Sequence, residues 1–149
     1  MKPLIKSALL FILLISIGPV SSAQFLVSSY KPKNKTEKFI LAKVLALPEI
    51  KWHLKTNKGE HPDLVFNLPD SLNEYYSVQV GIGDDMFRTS YYLYIDPKTL
   101  AIYYNDFFDE SGSKWITLKQ WRYWRGKPEF EYDVHTWKHG KLIVVKTKK

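Results

Sequence analysis

The chain has 149 residues, a formal net charge of +7 and no cysteine, and 45% of its residues are hydrophobic. This length suits a single domain that buries a core of its own. The lack of cysteine excludes disulfides and thiolate-ligated metal sites. Charged residues at 25% and aromatic residues at 15% are typical of a folded globular protein and not of a disordered one.

Residues 1–23 have the pattern of a secretory signal peptide. Lys2 and Lys6 form a basic start, the stretch from Ala8 to Ile17 is almost entirely apolar, and the small residues Ser21-Ser22-Ala23 offer a cleavage site. The apolar run is shorter than the ~20 residues that span a bilayer. We therefore expect residues 24–149 to form one exported domain, periplasmic or extracellular, without an integral membrane span after cleavage. Export without cysteine favours a bacterial envelope protein.

The first periodic segment predicts a helix from about Lys35 to Leu47. Asn34 precedes Glu37 by three residues, which is the spacing of a capping box. Pro48 should end this helix, because proline lacks the backbone donor and clashes with the preceding turn. The stretch Ile50–Lys55 fits either a short helix or a strand, and the pattern leaves both open.

Strands are predicted in the middle of the chain, at Asp63–Leu68, Tyr75–Ile82, Arg88–Ile95 and Leu100–Asn105. The sequence Asp96-Pro97-Lys98-Thr99 between the last two is typical of a type I turn, with Asp first and Pro second. The last three strands therefore predict an antiparallel meander.

The C-terminal third predicts a short helix and then a hairpin. Thr117 can cap a tryptophan-rich helix that runs to Arg125. The alternation from Phe130 to His135 predicts one strand, a turn follows at His139-Gly140, and Leu142–Val145 returns. The fold predicted is α+β: an N-terminal helix packed on an antiparallel β-meander, a short Trp-rich helix and a C-terminal β-hairpin.

Three stretches of the chain resemble PepSY-type modules. They are Leu47-Pro48-Glu49-Ile50, Tyr75–Gly81, and the hairpin Tyr92–Thr99 with Ile102-Tyr103-Tyr104. The resemblance spans about Thr36 to Asp106, and the chain departs from it with Leu100 where glycine is common. It implies a cystatin-like fold in an exported bacterial protein that binds or inhibits peptidases or acts as an envelope partner. It implies no catalytic residue.

The strand alternation places several tyrosines on one face of the predicted sheet. If Leu93 and Ile95 face the helix, their neighbours face the opposite way. The ligand-binding residues predicted on this opposite face are Tyr75, Gln79, Tyr92, Tyr94 and Tyr103. Tyrosine offers a large contact area at low entropy cost, so the face predicts recognition of a protein or peptide partner. The alternative is that the C-terminal hairpin folds over this face and buries it.

A second aromatic cluster is interleaved with basic residues. Its members are Trp115, Trp121, Tyr123 and Trp124 with Lys119, Arg122 and Arg125. Such a cluster could stack on sugars, peptides or nucleic acid. Leu118 and Trp121 share a helix face, which favours core anchoring instead. Export and the mixture of acidic with basic residues argue against a nucleic-acid partner. The lysines from Lys138 to Lys149 are interpreted as a solvated edge.

Histidine spacing gives no metal site, and we predict neither a metal nor a cofactor. His135 and His139 lie four residues apart, but in a predicted strand and turn instead of on a helix. His53 and His61 lie elsewhere in the chain. We therefore expect all four histidines at the surface.

One group of carboxylates keeps a second function open. Asp106, Asp109 and Glu110 cluster in a predicted loop, and paired carboxylates could serve a small envelope hydrolase acting on peptidoglycan or glycan. We interpret them first as turn residues that keep the protein soluble. The chain has no Gly-x-Ser-x-Gly nucleophile motif. The function expected is therefore a non-catalytic binding module for an envelope protein or peptide; peptidase inhibition is the form of it that the PepSY-like resemblance implies.

Cleavage after Ala23 predicts that the exported protein begins at Gln24. Intact-mass measurement of protein recovered from the periplasm or culture fluid should give the mass of residues 24–149. A mass that still includes the apolar run Ala8–Ile17 would show instead that the segment is retained.

Overall fold

The computed structural model describes residues 24–83 and 86–145. The predicted signal peptide, Asp84, Asp85 and residues 146–149 lie outside them. The first half contains strand β1 (Gln24–Leu26), helices α1 (Lys35–Leu45) and α2 (Pro48–Thr56), a 3₁₀ turn (Lys58–Glu60), and strands β2 (Pro62–Asn67) and β3 (Tyr76–Ile82). The second half contains strands β4 (Arg88–Ile95), β5 (Ile102–Asp106) and β6 (Lys114–Thr117), helices α3 (Leu118–Trp124) and α4 (Pro128–Glu131), and strands β7 (His135–Lys138) and β8 (Lys141–Val144).

The predicted α+β fold is confirmed. Six strands form one sheet in the order β1 to β6, and every neighbouring pair is antiparallel. Strands β2 to β6 are the meander, and β1 adds to its edge although two helices separate it from β2 in sequence. Strands β7 and β8 pair only with each other as the C-terminal hairpin.

The N-terminal helices follow the local signals closely. The Asn34 side chain accepts a hydrogen bond from the Glu37 backbone N–H at 2.9 Å, which is the predicted cap of α1. Helix α1 ends at Leu45, two residues early, because Pro48 is the first residue of α2. The segment Ile50–Lys55 lies within α2, so the helical alternative is the one the protein adopts.

The core lies between these two helices and the inner face of the sheet. Its fully buried apolar side chains are Ile40, Val44, Ile50, Leu64, Phe66, Val78, Val80, Leu93 and Ile95. The side chains of β4 therefore alternate as predicted, with Leu93 and Ile95 facing the helices. Tyr92 and Tyr94 consequently face the other side of the sheet.

The turn between β4 and β5 is formed as predicted, with one unusual residue at its end. The Asp96 carboxylate accepts from the backbone N–H of Lys98 at 2.7 Å and of Thr99 at 3.2 Å. Leu100 follows in the left-handed region, with φ of +58°, where side chains other than glycine are uncommon. Its side chain packs against the core, and its carbonyl accepts a 2.6 Å bond from Lys43 Nζ on α1. These two contacts hold Leu100 in place.

One strand assignment from sequence is wrong, and two short strands were not predicted. The alternation Phe130–His135 predicts a strand, but residues 128–131 form helix α4 and the strand begins only at His135. Pro128 at the first helical position and the bond from the Phe130 N–H to the Lys127 carbonyl favour the helical turn. Strands β1 and β6 were not predicted, because three and four residues are too few to show a period.

The sheet register predicts a contrast between two adjacent residues of β3. Val80 is fully buried, whereas Gln79 is half-buried on the opposite face. Val80→Asp should lower the free energy of unfolding by at least about 3 kcal/mol, because it leaves an unpaired charge in the core. Gln79→Asp should cost about 1 kcal/mol, which is the span of strand propensities. Urea denaturation of both variants measures the difference. Equal losses in the free energy of unfolding would show that both faces of the sheet are buried.

Candidate functional site

The predicted tyrosines lie together on the side of the sheet that faces away from the helices. Cross-strand partners bring Gln79 opposite Tyr92 and Tyr94 opposite Tyr103. Two further rings that the sequence did not assign to this surface contact them. We call the combined surface the outer aromatic face; its rings are Tyr75, Tyr92, Tyr94, Tyr103, Phe107 and Trp115.

The rings of the outer aromatic face support one another. Trp115 stacks on Tyr94 with ring centroids 4.2 Å apart and meets Tyr75 edge-on at 4.7 Å. Tyr92 meets Phe107 edge-on at 5.5 Å. The four tyrosines are half-buried, whereas Trp115 and Phe107 remain 37% and 49% exposed. Burial, aided by the neighbouring Tyr92, raises the pKa of Tyr94, so its hydroxyl stays protonated and can donate at neutral pH.

Polar groups continue this face toward β2 and β3. The Thr89 hydroxyl donates to Gln79 Oε1 at 3.4 Å, and Asn67 Nδ2 donates to the Ser77 hydroxyl at 2.9 Å. The buried carbonyl oxygen of Asn67 has no hydrogen-bond partner among the described residues. Amide and hydroxyl groups beside aromatic rings are suited to bind peptide groups.

The C-terminal hairpin lies on the other side of the molecule. Trp137 and Leu142 pack against Ile116, Trp121 and Phe130, which form a second core cluster around α3 and α4. The Gln120 side chain also donates to the Gly140 carbonyl at 3.2 Å. Within residues 135–145, no ring contacts the outer aromatic face. The hairpin therefore does not cover the tyrosines.

The Trp-rich segment divides between the two surfaces. Trp121 is 7% exposed and stacks on Tyr104 with centroids 4.5 Å apart, so core anchoring is confirmed for this residue. Trp124 packs in the same second cluster. Trp115 instead lies on β6 and belongs to the outer aromatic face. Tyr123 is 65% exposed, and Lys127 Nζ lies 3.4 Å from the centre of its ring.

The expectation that Asp106 is a solvent-exposed turn residue is wrong. Its carboxylate is fully buried at the end of β5. One oxygen, Oδ2, receives bonds from His135 Nε2 and Trp137 Nε1, each at 2.7 Å. The other accepts from the Phe108 N–H at 3.0 Å. All these partners satisfy the carboxylate internally, which is the usual condition for burying a charge.

The neighbouring carboxylates differ from each other. Asp109 is also buried, and hydrogen bonds from the side chain and backbone of Ser111 outweigh its burial and lower its pKa. Glu110 is exposed, as expected of a turn residue. The three carboxylates therefore do not meet in an open cleft.

The expectation of surface histidines holds for only two of the four. His61 and His139 are exposed, whereas His53 and His135 are buried. His53 Nε2 lies 2.9 Å from the Gly81 carbonyl oxygen, and His135 Nδ1 lies 2.9 Å from that of Asp133. Both rings are thus held by backbone acceptors that sequence spacing does not reveal. Within residues 24–83 and 86–145, no three His, Asp or Glu side chains are grouped to hold a metal ion.

An ion pair between a buried carboxylate and exposed arginines, which the sequence did not predict, lies beside α3. Arg122 donates from Nε to Glu49 Oε1 at 2.8 Å and from an Nη atom to Oε2 at 3.0 Å. Arg125 approaches the same carboxylate at 3.3 Å. The hydrogen bonds from Arg122 hold the pKa of Glu49 below its usual value.

No family model matches the chain, and neither does any curated protein or any solved structure. The PepSY-like resemblance therefore stays a prediction from the quoted motifs. In the part of the chain that the structure describes, no helix has the length and apolar character to cross a membrane.

The Glu49 ion pair predicts a specific response to acid. Because the folded-state pKa of Glu49 is lowered, its contribution is present above the unfolded value of ~4.3 and is lost as pH falls through the folded value. Glu49→Gln should therefore lower the free energy of unfolding at pH 7 by about 1–2 kcal/mol, since Arg122 is still partly solvated. The variant and the parent should converge as the pH is lowered from 7 through the folded-state pKa of Glu49. Urea denaturation across this pH range tests the prediction, and a constant difference would contradict it.

Proposed function

We propose that this chain is an exported, non-catalytic binding module whose outer aromatic face recognises a protein or peptide in the cell envelope. One observation carries the proposal: most rings of this face pack in two groups, Tyr75 with Trp115 and Tyr94 and Tyr92 with Phe107, and the C-terminal hairpin does not cover them. Large apolar surfaces of this kind on a small domain commonly mark an interaction site.

The mutual contacts of the rings favour binding. Tyr94, Trp115 and Tyr75 are already held against one another at centroid distances of 4.2 and 4.7 Å. A partner would therefore find the rings ordered, and association would lose less side-chain entropy. The hydroxyls of the tyrosines and the side-chain amide of Gln79 can then pair with backbone groups of the partner.

The chemistry of the face sets the kind of partner. Its rings and amides carry no charge, so we expect apolar and uncharged polar side chains on the partner. Residues 24–149 keep an excess of basic over acidic residues without Lys2 and Lys6, and this charge acts mainly on the rate of encounter with acidic proteins. A peptidase is the partner class that the PepSY-like resemblance implies, and inhibition of one is the specific form of this proposal.

The hydrolase alternative has less support. This alternative takes its acid and base from Asp106, Asp109 and Glu110. Asp106 is fully buried and bonded to His135, Trp137 and the Phe108 N–H. Catalysis by a carboxylate needs hydrogen-bond reach to a substrate, and these bonds occupy both oxygens. We therefore propose the binding function without a catalytic step.

Replacing two rings of the face should separate binding from folding. Tyr92→Ser with Tyr94→Ser removes the stacking partner of Trp115 and the edge contact to Phe107. We expect capture of the envelope partner to fall at least tenfold, because aromatic anchors dominate interfaces. The free energy of unfolding should fall by about 1–3 kcal/mol, since each aromatic pair contributes ~0.5–1.5 kcal/mol.

The experiment is an affinity capture from periplasmic extract, followed by titration of the captured protein. Tyr123→Ser is the matched control, because Tyr123 is 65% exposed and lies outside the face. A partner retained by the control and lost by the double variant supports the proposal. If both variants retain the partner equally, the proposal is contradicted. It is also contradicted if the protein sediments with purified peptidoglycan and captures no protein partner.

A further inference from the structure

A cavity of about 640 Å³ lies on the opposite side of the sheet from the outer aromatic face. The N-terminal end of α2, strand β4 and the C-terminal end of α3 enclose it, and its lining residues are Pro48, Glu49, Trp52, Tyr91, Trp121, Arg125 and Gly126. Its volume is in the range of small-molecule sites. Tyr91 and Tyr92 point to opposite faces of β4, so this cavity is separate from the proposed partner surface.

The walls of the cavity are mainly aromatic. Trp121 is 7% exposed and forms a fixed wall against Tyr91, with ring centroids 5.1 Å apart. Trp52 is 65% exposed at the rim, an unusual position for a tryptophan without a partner. These rings would surround an apolar or aromatic group.

The polar groups of the cavity differ in how completely their charges and hydrogen-bond donors are paired. Arg122 donates two hydrogen bonds to Glu49, at 2.8 and 3.0 Å, and thereby balances its charge. Arg125 is held more loosely, at 3.3 Å from the same carboxylate, and its side chain is 47% exposed. Arginine has five N–H donors, so Arg125 retains donors and one positive charge for a ligand.

The Tyr91 hydroxyl is a second polar group beside the cavity. It is buried and has no hydrogen-bond partner among the described residues. An unpaired buried hydroxyl costs free energy, so its presence calls for a partner that the chain does not provide. Burial raises the pKa of Tyr91, and the charges of Glu49 and Arg125, which line the same cavity, also act on it.

We infer that this cavity binds an apolar or aromatic group that bears a carboxylate. The ring of the ligand would lie against Trp121 and Trp52, and its carboxylate would accept from Arg125 and the Tyr91 hydroxyl. An arginine–carboxylate hydrogen bond is charge-assisted and confers orientation. Two sources share this chemistry: a free aromatic carboxylate, and the C-terminal residue of a peptide.

Titration with N-acetylphenylalanine and with its neutral amide tests the inference. Quenching or shift of tryptophan fluorescence reports occupancy, since Trp52 and Trp121 line the cavity. We expect the carboxylate to bind at least about tenfold more tightly than the amide, from the loss of a charge-assisted bond. Equal binding of the two probes, or binding of neither, would overturn the inference. A peptide ending in phenylalanine that binds more tightly than the single residue identifies a chain end as the source; equal affinities identify the free carboxylate.

Variants assign the selectivity to named groups. Arg125→Gln should abolish the preference for the carboxylate, whereas Lys119→Gln removes an exposed charge from the same helix and should leave it unchanged. Tyr91→Phe should weaken carboxylate binding by about threefold to tenfold and raise the melting temperature or leave it constant, because it deletes an unpaired hydroxyl. A lower melting temperature with unchanged binding would show that the hydroxyl serves the fold. Persistent selectivity in Arg125→Gln would also refute the inference.

Discussion

The Asp106 carboxylate is the contact on which the C-terminal part of the structure depends. It is fully buried at the end of β5 and binds the side chains of His135 and Trp137, both from β7. A two-stranded hairpin has little stability of its own. The hairpin is therefore ordered through its attachment to the main sheet, and the same attachment keeps it on the helix side. The Asp106 contact, together with the packing of Trp137 and Leu142, thus holds the hairpin away from the outer aromatic face.

The sheet separates two surfaces that have different chemistry. The outer aromatic face combines half-buried rings with neutral amides and suits a macromolecular partner. The inner side carries the cavity near Arg125 and suits a small charged group. Alternation along β4 creates this division, because Tyr91 and Tyr92 are adjacent in sequence and lie on opposite faces. One strand can therefore serve two sites with little interference between them.

Local patterns in the sequence predicted the elements that are long enough to show a hydrophobic period or that have a clear cap or turn. The alternation in β3 and β4, the turn at Asp96 and the Asn34 cap were all readable. Helix α4 was not, because in four residues helical and strand periods look alike. The site was readable only where strand parity decides it, as for Tyr92 and Tyr94. Contacts across long separations were not, since no spacing signals that Arg122 meets Glu49, 73 residues away.

Leu100 shows how the fold resolves a conflict between local and global preference. A left-handed φ of +58° disfavours leucine by roughly 1–2 kcal/mol relative to glycine. The side chain nevertheless contacts the core, and the Lys43 bond to its carbonyl ties the turn to α1. The position is thus locally frustrated, and the surrounding structure outweighs the strain. The Leu100 turn is therefore fixed to both the helices and the sheet. A glycine at this position would leave the backbone of the turn more conformational freedom.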